Sequence, residues 1–262
     1  MRIVSMLSKA GKKRNEDIIW HNENCAVVLD GSTPLTETPF PADQFVKSFV
    51  DIFSVSIEKN KSLYKAANET ISILKKQWYN STSEEWSALP SAAGAFVLIT
   101  EDSVQLLHVG DCKAVLRGKI GVQKVMSDDI ERFDQKVIEK MHSIRDITGA
   151  NMDDIVEMKE IKRMLLNNRR MMNVKNGYRI LSFNMNPFTK RDILEFSKND
   201  IDSIVMFSDG FSIVEEDILR GTFDAETLYV KLRTIENSDP YFNKYPRFKK
   251  SDDASIVFLN VE

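Results

Sequence analysis

Cysteine is scarce here. The 262-residue chain carries two, Cys25 and Cys112. Each lies in or beside an apolar run, so buried free thiols are expected, not a disulfide framework or a thiolate metal site, and a reducing, cytoplasmic setting follows. Histidine is nearly as rare, and His21, His108 and His142 share no metal-ligand spacing. His108 ends an apolar run and is expected to pack in the core. No apolar stretch approaches the ~20 residues needed to span a bilayer, so no membrane partner is expected. The opening Met1–Leu7 is too short an apolar run for a signal peptide. A formal net charge of −3 leaves no basic field that would bind nucleic acid. No linker rich in Gly, Pro or Ser divides the chain and no repeat is visible. A single, monomeric domain over residues 1–262 is therefore expected.

What is present alternates between strand and helix patterns. Arg2–Leu7 and Cys25–Leu29 read as strands. Phe45, Phe49, Ile52, Phe53 and Ile57 recur at helical spacing within Asp43–Lys59, and Leu63–Trp78 repeats the pattern. The polar stretch Tyr79–Glu85 ends this pair. Ala93–Thr100, Ser103–Val109 and Lys113–Arg117 are strand-like, with turns at Glu101-Asp102 and Gly110-Asp111. Val125–Arg170 is charged, Met-rich and helical in pattern. Tyr178–Phe183 and Ser203–Phe207 return to strand character, Asp224–Ile235 is helical, and Ala254–Val261 closes with a strand. Without regular βαβ alternation, antiparallel sheets flanked by helices fit best.

Four short acidic blocks punctuate this pattern: Asn15-Glu16-Asp17, Leu29-Asp30-Gly31, Ser208-Asp209-Gly210 and Ser251-Asp252-Asp253. Three abut apolar strand-like runs. A carboxylate at the end of a buried strand is costly unless something pairs with it, and no Arg or Lys is built into those strand ends. Mg²⁺ and Mn²⁺, which prefer oxygen ligands, are natural partners. The pattern predicts a metal-dependent hydrolase with ligands gathered from distant strands.

In this order and with these neighbours, the blocks resemble motifs of the metal-dependent PPM protein phosphatases, the type 2C serine/threonine phosphatases. Asn15-Glu16-Asp17 looks like the first motif, and Ala26–Gly31 like the Asp-Gly motif. Ser91–Ala95 matches a small-residue turn into a strand. His108–Leu116 is similar to the Gly-Asp-Ser-Arg-Ala strand pair, Met206–Gly210 to the Ser-Asp-Gly motif, and Asp252–Val257 to the final Asp-Asn/Asp motif. The resemblance implies an α+β fold, a four-layer αββα sandwich of two antiparallel sheets flanked by helix pairs. Residues 125–176 would form a helical, flap-like insertion. It also implies that phosphoserine and phosphothreonine in proteins are hydrolysed by a water bridging two Mg²⁺ or Mn²⁺ ions, without a covalent intermediate. Asp30 would bridge the two ions. Glu16 and the Gly31 carbonyl would complete one site, and Asp209 and Asp252 the other, with Asp17 acting close by. The family's phosphate-binding arginine corresponds to Lys12 here, followed by Lys13 and Arg14. Lys12 and Arg14 are thus the candidate phosphate contacts, Lys12 offering a point charge in place of a bidentate fork.

Departures from the family pattern are specific. Ser32 stands where many members carry His after the Asp-Gly motif. Asp111 matches one ligand of a third ion bound by many bacterial members, but its partner position, four after Asp209, is Ile213, which cannot ligate. These departures motivate an alternative: a catalytically impaired phosphatase-like domain acting as a binding module. A second rival, an aspartyl-nucleophile phosphatase of haloacid-dehalogenase type, would need an Asp at position 28, and Val28 stands there. Arg163 with Arg169-Arg170 is a local basic cluster, either a solvated face or a surface that meets a phosphorylated substrate.

Overall fold

Apolar alternation along one strand decides the architecture. In Cys25–Ser32, the residues Cys25, Val27 and Leu29 point into a core shared with helices. Ala26 and Val28 point the other way, into a core shared with a facing sheet. Period-2 placement with both faces buried is what a central strand shows. The structure, a computed structural model, describes residues 1–11, 13–36, 38, 40–78 and 86–261.

Numbered along the chain, β2 (Asp17–His21), β3 (Cys25–Ser32), β4 (Ser91–Ile99), β5 (Ser103–Val109) and β8 (Ile193–Ser197) form one five-stranded sheet in that spatial order. The other sheet runs β1 (Arg2–Lys9), β10 (Ala254–Asn260), β9 (Ser203–Phe207), β6 (Lys113–Gly118) and β7 (Gly121–Val125). Every neighbouring pair is antiparallel. Helices α1 (Ala42–Asn60) and α2 (Leu63–Trp78) cover the first sheet, packing Phe45, Phe49 and Phe53 on Val27, Leu29 and Phe96. Helices α6 (Glu215–Arg220) and α7 (Ala225–Ser238) cover the second, packing Ile218, Leu228 and Leu232 on Val205, Phe207 and Phe258. Between the sheets lie small and branched residues, Ala26, Val28 and Ala95 facing Ala114, Ile204 and Val257. The result is the expected α+β sandwich in four αββα layers.

Within residues 125–176, α3 (Glu131–Thr148), α4 (Met152–Val156) and α5 (Lys159–Arg169) bury Val137, Met141, Met152, Ile155 and Ile161 in a core of their own. Phe242, from the loop after α7, completes that core.

Three strands escaped the sequence pattern. Asp17–His21, to which the sequence pattern assigned no strand, pairs along β3. Gly121–Val125 and Ile193–Ser197 are edge strands whose exposed faces carry Gln123, Lys124 and Glu195. Charged, short edges resist pairing with other chains and conceal the period-2 signal. Conversely, the expected strand Tyr178–Phe183 is not one. It makes only the isolated bridges Ala92↔Leu181 and Met172↔Tyr178, although Tyr178, Ile180, Leu181 and Phe183 are buried. Its apolar character reflects burial beside β4, not a ladder. The polar stretch Tyr79–Glu85 lies outside the described residues.

Candidate metal centre

Antiparallel register decides which strand ends meet. Asp17 opposes Asp30, Asp30 opposes Ala93, and Gly94 opposes Val109. The start of β2, the end of β3, the start of β4 and the end of β5 therefore share one edge. In the other sheet Lys113 and Ile256 both oppose Phe207, so the start of β6, the end of β9 and the start of β10 coincide. Asp111, Asp209 and Asp252 stand in the segments at those ends. The chain crosses from β5 to β6 through Gly110, at φ +78°, where a Cβ would stand 2.6 Å from the Ala93 Cβ. Only glycine meets both demands.

Backbone and side-chain hydrogen bonds fix the first acidic motif. Gly31 N donates to Glu16 O at 3.1 Å, and a Cβ at Gly31 would lie 2.6 Å from that oxygen. Asp253 accepts from Gly11 N at 2.7 Å and from Glu16 N at 2.6 Å, joining this loop to the start of β10. The Glu16 carboxylate accepts from Thr33 Oγ1. Asp17 is buried, with Oδ2 accepting from Ser208 Oγ at 2.7 Å. Ser208 Oγ in turn accepts from Ser255 N at 3.0 Å. Asp17 Oδ1 has no hydrogen-bond partner among the described residues.

The carboxylates push one another's protonation upward. Burial, with added repulsion from Asp209 and Asp253, carries Asp17 to about 8 against the bond from Ser208. Burial, then repulsion from Asp17, Asp209, Asp111 and Asp252, holds Asp30 well above an ordinary carboxylate. Asp111 is pushed up to about 8 by burial and by Asp209 and Asp134. Asp209 is raised by enclosure in protein and by repulsion from Asp252, and it lines the cavity. Such a set is costly as anions and suited to cations.

These groups line a cavity of about 620 Å³ together with residues of α3–α5, a size typical of small-ligand sites. As the side chains stand, no three His, Cys, Asp or Glu groups among the described residues converge tightly enough to hold an ion. The Lys249 ammonium is hydrogen-bonded to Asp252 Oδ1. Burial alone would lower the Lys249 pKa, but Asp252, Asp209 and Asp30 raise it. A protein cation thus answers the acidic cluster from one side. Hard oxygen donors, their mutual repulsion and the orphaned Asp17 Oδ1 fit a divalent-metal centre in chemistry.

Glu16, Asp30, Gly31, Asp111, Asp209 and Asp252 all line this one cavity, and Asp17 lies behind them. Arg14 does not join them. It stands 72% exposed beside Asp43, at 4.0 Å, because its turn points toward the start of α1. Lys12 lies outside the described residues. Glu215, near Ile213 in the chain, is committed to Lys113 and Lys124. Among the lining residues not anticipated as site residues are Asp134 on α3, Arg169 at the end of α5, and Lys249. Asp134 is pushed up to about 7 by burial and by Asp209. Only Arg169 carried a sequence signal, as part of a basic cluster; of that cluster Arg163 and Arg170 are exposed.

A family model described as protein phosphatase 2C matches residues 13–254. No curated protein sequence matches the chain. Among solved structures, the catalytic domain of the serine/threonine phosphatase PstP with two manganese ions is similar at 14% identity and a TM-score of 0.58, covering 98% of this chain and 96% of that one. Stp1 from Staphylococcus aureus is similar at 15% identity and 0.57, covering 100% and 96%. The phosphatase MsPP from Mycobacterium smegmatis, in complex with cacodylate, is similar at 12% identity and 0.55, covering 100% of both. At such identities the likeness is one of fold.

Proposed function

Because the chain belongs to the protein phosphatase 2C family, we propose that the acidic recess at the shared ends of its two sheets is where it hydrolyses phosphoserine and phosphothreonine in proteins. The chain is a metal-dependent serine/threonine phosphatase by membership. The observation that supports this location is the convergence of Asp30, Asp111, Asp209 and Asp252 on one cavity, with Asp17 behind them.

In this reading Glu16, Asp30 and the Gly31 carbonyl hold one ion, and Asp30, Asp209 and Asp252 hold the other. Mg²⁺ or Mn²⁺ bound there supplies positive charge to the phosphoryl oxygens and acidifies water. The manganese pair in PstP supports two ions over one. Asp111 has Asp134 as its acidic neighbour, while Ile213 offers no ligand, so two ions are proposed and not three. Asp17 Oδ1, without a hydrogen-bond partner among the described residues, is the atom left to hold a water or take its proton. Ser208 is spent as a donor to Asp17 and an acceptor from Ser255, so it is no nucleophile. The aspartyl-nucleophile rival fails on position as well as identity, since Val28 is buried between the sheets. Nothing favours the impaired binding module: every carboxylate of the two-ion set is present. We take residues 1–262 as one phosphatase unit with 125–176 inserted, acting as a monomer. Two buried free thiols support a reducing compartment.

The test is hydrolysis of p-nitrophenyl phosphate and of a phosphopeptide panel, with Mn²⁺ supplied or chelated. Turnover should require the metal and vanish in Asp30→Ala and Asp209→Ala. Full activity after chelation would remove the two-ion assignment.

A further inference from the structure

A phosphate entering a recess lined with carboxylates needs directional N–H and O–H donors as well as ions. Neither described basic residue of the first loop is set to supply them, since Lys13 is exposed and Arg14 lies beside Asp43. A different arginine reaches the cavity wall. Arg169, the last residue of α5, is 8% exposed, an unusual degree of burial for a guanidinium. Its nitrogens donate to neutral acceptors throughout. Nε reaches Ser87 O at 3.2 Å, Nη1 reaches Ser32 Oγ at 2.8 Å, and Nη2 reaches Leu89 O at 2.9 Å, with longer contacts to Ser32 O and Ser91 Oγ. Among the described residues no carboxylate forms an ion pair with it. The Glu16 carboxylate acts on it only at longer range; a buried charge with no paired counter-ion is costly, and this one lies against the cavity proposed to take an anion.

Its position is specific. Ser32 directly follows Gly31 and pairs with Ser91 across β3 and β4. Arg169 therefore touches the strand end that carries Asp30 and Gly31. A guanidinium has five N–H donors, and Nη1 uses one of its two on Ser32 Oγ, the other having no partner among the described residues. Ser32 Oγ accepts that bond, so its own hydrogen is still available to donate. Arg169 and Ser32 thus both line the cavity, and their Nη1 and Oγ are adjacent, each with a hydrogen to offer.

We propose that Arg169 and Ser32 together receive the phosphoryl group of the substrate, one N–H and one O–H donor, so that the arginine contact comes from the helical insertion and not from the loop before β2. This rests on the phosphatase reading of the same cavity. The plain alternative is a strap, in which Arg169 only fastens α5 to the ends of β3 and β4.

The experiment compares wild type with Arg169→Gln, Arg169→Lys and Ser32→Ala. It measures inorganic phosphate as an inhibitor of the Mn²⁺-loaded enzyme, the shift in melting temperature that phosphate produces, kcat and KM separately, and Mn²⁺ affinity by calorimetry. Arg169→Gln should raise the phosphate inhibition constant and KM by about 10- to 100-fold, the scale of lost charge-assisted hydrogen bonds, with Mn²⁺ affinity held. Arg169→Lys should recover part of the loss, and Ser32→Ala should show a smaller rise. A folded Arg169→Gln protein whose phosphate inhibition constant stays at the wild-type value, with only kcat lowered, establishes the strap and overturns the proposal. If Arg169→Gln fails to fold, Ser32→Ala decides, and unchanged phosphate inhibition there overturns it equally. The melting shift reads phosphate binding without turnover. A wild type that phosphate stabilises but that shows no Mn²⁺-dependent hydrolysis would sink the phosphatase reading and leave the phosphate site standing.

Discussion

Removing the Lys249 ammonium should move metal affinity and metal-free stability in opposite directions. Lys249 is bonded to Asp252 and also feels Asp209 and Asp30, so without ions it is the nearest counter-charge to the cluster. The pair is 40% and 34% exposed, so solvent screens it. Its worth is therefore about 1 kcal/mol, the upper end for exposed pairs. An ion entering at Asp252 must break that bond. Lys249→Met keeps the length of the side chain and removes the charge, which frees Asp252. Mn²⁺ should then bind about fivefold tighter, the equivalent of ~1 kcal/mol. In chelator the same variant should melt about 2–4 °C lower, because the crowded carboxylates have lost their neighbour. Calorimetric titration and thermal melts in EDTA measure the two effects. Unchanged Mn²⁺ affinity would show that the lysine does not compete for Asp252. Weaker binding would show that it supports the ion's surroundings instead, and either result refutes the argument.

Two further outcomes follow from the same site. Asp17 and Asp111 rise from 3.8 to about 8 in the fold, so the folded metal-free protein keeps protons that the unfolded chain has released between those values. Stability should accordingly be highest at the acid end of that window and fall as pH rises through it, so melts in chelator should be lower at about pH 8 than at about pH 5. Mn²⁺ binding should displace those protons and tighten over the same range, read as buffer-dependent binding enthalpy. Asp253→Ala removes the acceptor of both Gly11 N and Glu16 N and should cost about 3 kcal/mol in urea unfolding. Asp253→Asn, which keeps one acceptor oxygen, should cost about half as much.

The ligand set was legible because each carboxylate adjoins a strand whose apolar run is unmistakable: Cys25–Leu29 before Asp30, Ser203–Phe207 before Asp209, Ala254–Leu259 after Asp252. Antiparallel pairing converts those adjacencies into one spatial cluster. The four layers were legible for a similar reason, since the spacing of Phe45, Phe49 and Phe53 marks a helix with one buried face. What escaped lies where burial and sequence part company. β7 and β8 are edge strands with polar faces, and Tyr178–Phe183 is buried without pairing. Asp134 and Lys249 drew no reading of their own, because nothing local distinguishes a side chain facing water from one facing a recess. Arg169 was visible as part of a basic cluster, but only tertiary packing separates it from Arg163 and Arg170.

Two of the attachments that hold the helical insertion bear on the site. At one end Arg169 fastens α5 to Ser32 and Leu89, beside the strand carrying Asp30. At the other, Phe242 enters the core of α3–α5, and Arg145 on α3 donates to Tyr241 O and Asn243 Oδ1. That loop is itself tied by Arg247 to the Asp239 carboxylate and to the Glu236 carbonyl. It continues into Lys249 and Asp252. One attachment therefore adjoins the proposed first ion site and the other adjoins the proposed second. A displacement of the insertion that breaks either attachment disturbs the strand end or loop that positions a ligand. Metal binding should thus stiffen α3–α5 even though they donate no ligand to the two-ion set. Hydrogen exchange measures this directly: slower exchange across Glu131–Arg169 on adding Mn²⁺ is the expected result, and identical exchange with and without the metal would show that the attachments transmit nothing.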